Sequence, residues 1–427
     1  MPADMSLARR RSPAARFRVL LYRYLRTLGP GFVSGASDTD PTTVATMSVV
    51  GSTTVYGLSW LTVLTYPMLA IIQVTAARVG VVTRHGLQDL VRSRYGRAWG
   101  VLLLASVLVV NVVTIGADLE AGAAACALLL HIDYRWMILP LAAVLLALLY
   151  FGSYQTVERV LKYVLLVLLA YVASAFLAHP RWGAIFGATV LPRLRLDSDY
   201  IAGSLAILGT TLTSYSYVWE SVEESERKLP IARLGIAQAD AGLGMFVAVA
   251  VFWFILIATG STLGVEHKHV ETAQQAAQAL TPIAGPAAAL LFGVGLLASS
   301  VIAVPVLAAS TAYLVGAEFE IPRGLSKRLG EARLFYAILT AAILVALAIG
   351  FAGVPPIKLL FVASIAGGLG TPISLAFLLL VARDRRVMGD HRASGWLMLG
   401  GWITFALVTL TGAVFLLREL APSLLRT

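Results

Sequence analysis

Two carboxylates interrupt the first apolar stretch of the chain. Asp38 and Asp40 follow the small and apolar residues GPGFVSGAS and precede Pro41, after which apolar residues resume. A charged side chain at the bilayer centre costs roughly 2.5–3.5 kcal/mol even on the mild insertion scale, so such residues usually carry a function. Pro41 lacks a backbone N–H and disfavours helix at Asp40, which predicts a helix break beside that carboxylate.

A buried cation site is the chemistry that this pattern favours. Asp40 would supply the negative charge, and hydroxyl or carbonyl oxygens would complete the ligand shell. The candidate partners are Thr43 and, from a second polar stretch GTTLTS, Thr210 and Thr213. The simpler alternatives are that the acids lie in water, with Asp40 only capping the helix that follows, and that each threonine bonds back to its own helix.

Asp118 and Glu120 form a second pair of acids inside an apolar stretch. Two positions separate them, so they point to different faces of a helix and only one is expected to face the functional side. The pair would serve as a proton relay or a permeation wall, or else as the buried partner of a nearby arginine, and the sequence leaves both open. Asp240 is a weaker candidate near the end of a later span.

An acidic run follows the second polar stretch and is expected to be mostly a solvated cytosolic face. It comprises Glu220, Glu223, Glu224 and Glu226. Glu220 is nearest the membrane, about two helical turns beyond Thr213, and would line an inner exit for a cation.

The histidines and the cysteine suggest no further metal site. His131, His267 and His269 fall in predicted outside loops without the ligand spacing of a zinc site. Cys126 is the single cysteine, so an intramolecular disulfide and a thiolate cluster are both excluded.

Membrane helices are the elements that would position these residues. Hydrophobic residues make up 58% of the 427 residues and charged residues only 13%, a balance that a soluble domain of this length does not need. Apolar stretches of spanning length recur without the alternation of β-strands, which predicts an all-α polytopic membrane protein of about eleven transmembrane helices. The predicted spans are 30–50, 54–80, 98–130, 135–152, 158–178, 201–225, 236–262, 284–315, 334–352, 357–382 and 395–417.

The basic residues indicate topology rather than nucleic-acid binding. Net charge is +10, and most of the 33 Lys and Arg residues fall in segments that lie inside if the N-terminus is cytosolic. We therefore predict a basic cytosolic segment at 1–28, a single transmembrane transport domain at 29–417 and a short outside tail at 418–427. No enzyme motif occurs in the cytosolic segments, and we expect no cofactor, no nucleic acid and no obligate protein partner besides the lipid bilayer.

The two polar spans also indicate an internal repeat. Span 6 comes five spans after span 1, so if spans 1–5 and 6–10 form two inverted halves, these are the corresponding first helices. In such transporters both first helices unwind near the midplane, and the freed carbonyls, helix ends and side chains bind the substrate and ions.

Several segments together resemble the Nramp family of divalent-metal transporters, over nearly the whole chain from residue 28 to 417. They are LGPGFVSGASDTDPTTVATMSVVGSTTVYG, LTYPMLAIIQVTAARVGVVTRHGL, GADLEAGAAA, GTTLTSYSYVWESVEESE, ETAQQAAQALTPIAGPAAALLFGVGLLASSVIAVPVLAAS and GGLGTPISLAFLLLVARDRR. The likeness is greatest to the divergent bacterial branch that includes Nramp-related magnesium transporters. It implies a multi-pass protein of the bacterial inner membrane with the metal held between broken helices 1 and 6.

The resemblance also implies a ligand set. The family's Asp-Pro-Gly-Asn of helix 1 falls on Asp40, Pro41, Thr42 and Thr43, its helix 6 alanine carbonyl and methionine thioether fall on Thr210 and Thr213, and its carbonyl before the first break falls on Ser37. Replacement of the thioether by a hydroxyl implies a preference for hard ions, because thioethers favour soft transition metals. Magnesium keeps several of its waters and uses one or two carboxylates, which suits Asp40 with Asp38 as a second candidate.

Other departures from the family bear on proton coupling. The family's two helix 6 histidines fall on Tyr215 and Glu220, which become candidates for permeation or coupling. In helix 3 Asp118 matches the first acid of the family's pair, whereas Ala121 stands at the second and Glu120 is displaced by one. The helix 10 amide falls on Gly367.

The favoured function is therefore transport of divalent cations, magnesium or manganese, by alternating access, with proton coupling in doubt. One alternative keeps the fold but moves an amino acid with a cation. The acids at the helix 1 break disfavour the anionic group of such a substrate. Another alternative is a non-transporting Nramp-like sensor, against which the lack of a cytosolic output domain counts.

Overall fold

The computed structural model describes residues 39–151, 170–325, 327 and 329–420. The predicted segment 1–28, Ser37, Asp38 and most of span 5 lie outside the described residues. Within them every regular element is a helix, in keeping with the all-α prediction.

Sixteen described helices are labelled here in chain order. They are α1 (Pro41–Thr54), α2 (Ser59–Thr83), α3 (Leu87–Tyr95), α4 (Arg97–Leu130), α5 (Arg135–Phe151), α6 (Trp182–Val190), α7 (Ser198–Thr211), α8 (Ser214–Arg227), α9 (Leu234–Thr259), α10 (Ala273–Gln278), α11 (Thr281–Ala284), α12 (Ala288–Glu318), α13 (Arg333–Gly350), α14 (Pro356–Arg383), α15 (Arg385–Met388) and α16 (Gly395–Leu420). Residues 170–177 are helical as well, and a π-helical turn extends α9 to Gly264.

Each of the eleven predicted spans contains helical residues within the described part of the chain, although most of span 5 and the first residues of span 1 lie outside it. In the described part of the chain, seven helical segments are long and apolar enough to cross a membrane by length and composition: those containing α2, α4, α9, α12, α13, α14 and α16. Helix α5 is a shorter apolar helix. The total of eleven spans stays a prediction.

Among the described residues of the first span, Thr39 and Asp40 are not helical and the helix begins at Pro41, where the proline predicts a helix start. Asp40 is the N-cap residue of α1, with an extended backbone at φ −70° and ψ 167°, and its side chain accepts a hydrogen bond from the Thr43 amide. Proline suits the first helical position because the N–H that it lacks would have no helical partner there. Residues before Thr39 lie outside the described part of the chain, so a helix that precedes Asp40 in this span stays a prediction.

The sixth span is broken although it contains no proline. Helix α7 ends at Thr211, Thr213 is extended at φ −60° and ψ 137°, and α8 begins at Ser214. The hydroxyl of Thr371 on α14 donates to the Leu212 carbonyl at 3.0 Å. This side chain replaces a helical bond that the break removes, since hydrocarbon offers no water to do so.

Close backbone contact holds α7 against α14. A Cβ atom built on Gly209 would lie 1.9 Å from the Ser364 carbonyl oxygen and 2.3 Å from the Gly368 amide nitrogen. Only a residue without a side chain allows this approach, as at many helix contacts in membranes. The contact fixes the end of α7 that carries Thr210.

We predict that Gly209→Ala destabilises the protein, because the added methyl group clashes with backbone atoms of α14, which cannot move away as a side chain could. Overpacking of this kind typically costs about 1–3 kcal/mol. Thermal unfolding of the purified protein in detergent measures the effect. The matched control is Gly242→Ala within α9, where an added Cβ meets nothing within 4 Å. Equal melting temperatures for the two variants would contradict the prediction.

We also predict that Thr371→Val lowers stability, because the Leu212 carbonyl at the break loses its donor. A buried acceptor left unsatisfied costs about 1–3 kcal/mol. Thr409→Val serves as control, since the Thr409 hydroxyl is exposed and bonds only the Phe405 carbonyl of its own helix at 2.7 Å. The same thermal assay compares them, and a control that melts as early as Thr371→Val would refute this role.

Candidate metal site at the two helix breaks

Asp40 lies at the junction of the two broken helices and is 2% exposed. Its Oδ1 accepts from the Thr42 hydroxyl at 2.6 Å and from the Thr43 amide at 2.8 Å. Its Oδ2 accepts from the Tyr215 hydroxyl at 3.2 Å. Asp40 therefore caps α1, as the simpler alternative supposed, but it does so out of water and in contact with α8.

Three threonine hydroxyls surround this carboxylate. The Oγ1 atoms of Thr43 and Thr210 are 2.8 Å apart, and Thr210 donates to Thr42 at 3.3 Å. Thr43 and Thr210 are thus brought together across the two breaks, as the sequence predicted for ligand partners. Their hydrogen bonds cross between α1 and α7 in addition to any bond within a helix.

The remaining predicted ligands are not joined to Asp40 by hydrogen bonds of the described residues, or they lie outside those residues. Thr213 occupies the second break and is 4% exposed, and its side chain makes no capping bond to α8. No hydrogen bond joins it to Asp40, Thr43 or Thr210 among the bonds of the described residues. Ser37 and Asp38 lie outside the described residues, so their part in the site stays a prediction.

The helix ends add fixed partial charges. Helices α1 and α8 both begin at the breaks, at Pro41 and Ser214, and α7 ends there at Thr211. Helix N-termini are positive and C-termini negative, and the last carbonyls of a helix lack helical partners. The end of α7 thus offers carbonyl oxygens beside the hydroxyls and the carboxylate. Such an all-oxygen donor set can bind a hard divalent cation.

Asp118 and Glu120 are both fully buried in α4, but they face different surroundings. The carboxyl group of Asp118 lies near that of Asp40. Glu120 faces Tyr134 and Arg135 instead, at the start of α5. Of the two acids, Asp118 is therefore the one that lies towards Asp40, and its role as the acid on the functional side stays a prediction.

The acidic run on α8 is less solvated than expected. Glu220 and Glu224 are each 1% exposed, whereas Glu226 is exposed. Gly80 on α2 allows the approach, since a Cβ there would lie 2.4 Å from the Ser221 carbonyl oxygen and 3.0 Å from the Glu224 Cβ. Packing of α8 on α2 buries one face of the run, which charge counting alone does not reveal.

Several side chains that hold the site together were missed by sequence reasoning. Thr42 had a local signal, because a hydroxyl two residues after an aspartate commonly bonds to it. The Ser374 hydroxyl of α14 had none: it lies 2.6 Å from the Ser214 Oγ and 2.5 Å from the Tyr217 hydroxyl. On the other side of α8, Gln73 of α2 donates to the Ser216 hydroxyl.

Comparisons with known proteins agree with this architecture. Residues 31–418 match the family model described as "Nramp: Natural resistance-associated macrophage protein-like". The divalent metal cation transporter MntH of Deinococcus radiodurans is 29% identical over 93% of this chain and 91% of its own. The MntH of Caldanaerobacter subterraneus subsp. tengcongensis is 24% identical over 92% of this chain and 96% of its own.

Solved structures share the fold. A crystal structure of the Eremococcus coleocola manganese transporter superposes with a TM-score of 0.74 at 19% identity, covering 95% of this chain and 89% of its own. Mhp1, a nucleobase-cation-symport-1 family transporter, gives 0.59 at 15% identity, covering 92% and 91%. The family match spans nearly the whole length, from before the first break to the last helix, and the chain belongs to the Nramp family.

Proposed function

We propose that this protein carries divalent metal cations, magnesium or manganese, across the bacterial inner membrane by alternating access. The observation that carries the proposal is the buried Asp40, held between two helix breaks among hydroxyl oxygens. The relatives named above as divalent metal cation transporters support it. The orientation that goes with it has the N-terminus in the cytosol and the C-terminus outside.

The donor types support hard ions. Asp40 offers a carboxylate, and Thr43 and Thr210 offer hydroxyls, with helix-end carbonyls nearby. Thr213 stands where the family resemblance implies a thioether ligand. Hydroxyl, carbonyl and carboxylate oxygens suit magnesium, calcium and manganese, and a thioether suits softer metals. We therefore propose little preference for cadmium.

We propose that transport does not require coupling to protons. The resemblance assigns the histidines associated with proton movement to positions 215 and 220, and these hold tyrosine and glutamate. Asp118 remains near Asp40, so an acid beside the site persists. Transport down the electrochemical gradient of the ion fits this set best.

Uptake into proteoliposomes tests the proposal directly. Magnesium, manganese, calcium and cadmium are compared with and without a pH gradient. We expect uptake of magnesium and manganese that does not require the gradient. Tight cadmium transport that excludes magnesium would contradict the ion choice, and the absence of uptake for all four ions would contradict the function.

Asp40→Asn is predicted to abolish or severely reduce metal uptake while leaving a folded protein. The amide keeps the shape of the side chain but removes the full charge that offsets loss of metal hydration. The control is Asp390→Asn, which removes an exposed acid outside the spanning helices and should transport normally. If Asp40→Asn transports magnesium at the wild-type rate and Asp38→Asn does not, the site is centred on Asp38.

Thr213→Met is predicted to shift ion preference without loss of transport. A thioether in the second break restores a soft ligand and should raise the transport of manganese or cadmium relative to magnesium. Competition of each metal against radioactive manganese measures the ratio. An unchanged ratio in a folded, active variant would remove Thr213 from the ligand set.

A further inference from the structure

We infer that Tyr215 is a positioning residue for the return of the carrier after its ion has left. Its phenol donates a hydrogen bond to the Asp40 oxygen that the ion has left, so that this oxygen keeps a donor while the unloaded carrier returns. The inference rests on the proposed function, because it concerns the unloaded half of the same transport cycle.

The two oxygens of Asp40 have donors of different origin. Oδ1 is held from within α1, at 2.6 Å by the Thr42 hydroxyl and at 2.8 Å by the Thr43 amide. Oδ2 is held from the other broken helix, at 3.2 Å by Tyr215. The bonds to Oδ1 are short and local to the helix start. The bond to Oδ2 is longer than the range of about 2.5–3.0 Å that is usual for a hydroxyl donor, so it is the easier one to exchange.

Oδ2 is therefore the oxygen that the structure makes available to an ion. When a cation binds there, the Tyr215 hydroxyl turns away or donates elsewhere. When the cation leaves, the same hydroxyl returns. A buried carboxylate oxygen is costly without a cation or a donor, and Tyr215 supplies the donor to Oδ2 when no ion is bound there.

Tyr215 is placed to do this repeatedly. It is the second residue of α8, immediately after the break, and it is 2% exposed. Its ring belongs to an apolar cluster with Leu119 of α4 and with Val304 and Leu307 of α12. The cluster restrains the ring while leaving the hydroxyl at the carboxylate. Because the bond joins α1 to α8, it ties together the two broken helices that alternating access must coordinate.

Measurements of exchange and of net uptake distinguish this role of Tyr215 from a purely structural one. Exchange of external for internal manganese uses only the loaded carrier, whereas net uptake also needs the unloaded carrier to return. Tyr215→Phe should lower net manganese uptake into liposomes roughly tenfold to a hundredfold, the range expected for a lost hydrogen bond to a charged group. Manganese exchange by the same variant should stay within about threefold of wild type.

Tyr217→Phe is the matched control. Tyr217 is buried two residues further along α8, and its hydroxyl bonds Ser374 rather than Asp40. Any effect of its removal should lower exchange and net uptake together. Tyr215→His keeps a ring N–H donor and should retain more net uptake than Tyr215→Phe. The histidine variant also provides a test if the phenylalanine variant folds poorly.

The outcomes are distinct. Loss of net uptake with exchange preserved, and partial recovery with histidine, supports the inference. Equal loss of both modes, no loss of either, or a histidine variant no better than phenylalanine overturns it. Failure of the wild-type protein to exchange or take up manganese and magnesium would count against the proposed function itself, before any variant is considered.

Discussion

Burial of the Asp40 carboxylate at the junction of two helix breaks is the constraint on which the rest of the structure depends. The Asp40 side chain is 2% exposed, and inside a membrane no bulk water would satisfy a carboxylate or the backbone groups at helix ends. Donors therefore converge on Asp40 from both broken helices: Thr42 and Thr43 from α1, and Tyr215 from α8. The breaks leave oxygen atoms free to bind an ion. Burial of these polar groups costs free energy, and hydrogen bonds from the surrounding helices offset that cost.

Helix α14 offsets much of that cost. Its short hydroxyl side chains reach α1, the second break and α8. Ser364 bonds Thr46 of α1 at 2.7 Å, Thr371 bonds the Leu212 carbonyl, and Ser374 bonds Ser214 of α8. These bonds are possible because α7 and α14 touch through glycine backbone. Helix α14 thus supports both α1 and the sixth span. Its small residues allow close backbone contact as well as hydrogen bonding.

The candidate site keeps the architecture that the family resemblance implies, but its donor atoms differ. The carboxylate and proline of the first break are retained, while hydroxyls of Thr43 and Thr210 occupy positions that the family resemblance assigns to an amide and to an alanine. Oxygen donors of modest size leave room for water on an ion, in line with the proposed hard-ion preference. A tyrosine on Asp40 then offers an uncharged donor where the family resemblance implies histidine.

The sequence by itself predicted the helical membrane class, a helix start at Pro41 and a polar break near Thr213, and it singled out Asp40 as the candidate ligand. These follow from local causes, namely apolar length, a missing N–H and the cost of a charge in lipid. Only the tertiary structure decided that Tyr215 meets Asp40, that α14 supports the breaks and that Glu220 and Glu224 are buried rather than solvated. Those outcomes depend on which faces of helices distant in the chain come together, and a local pattern carries no information about its remote partner.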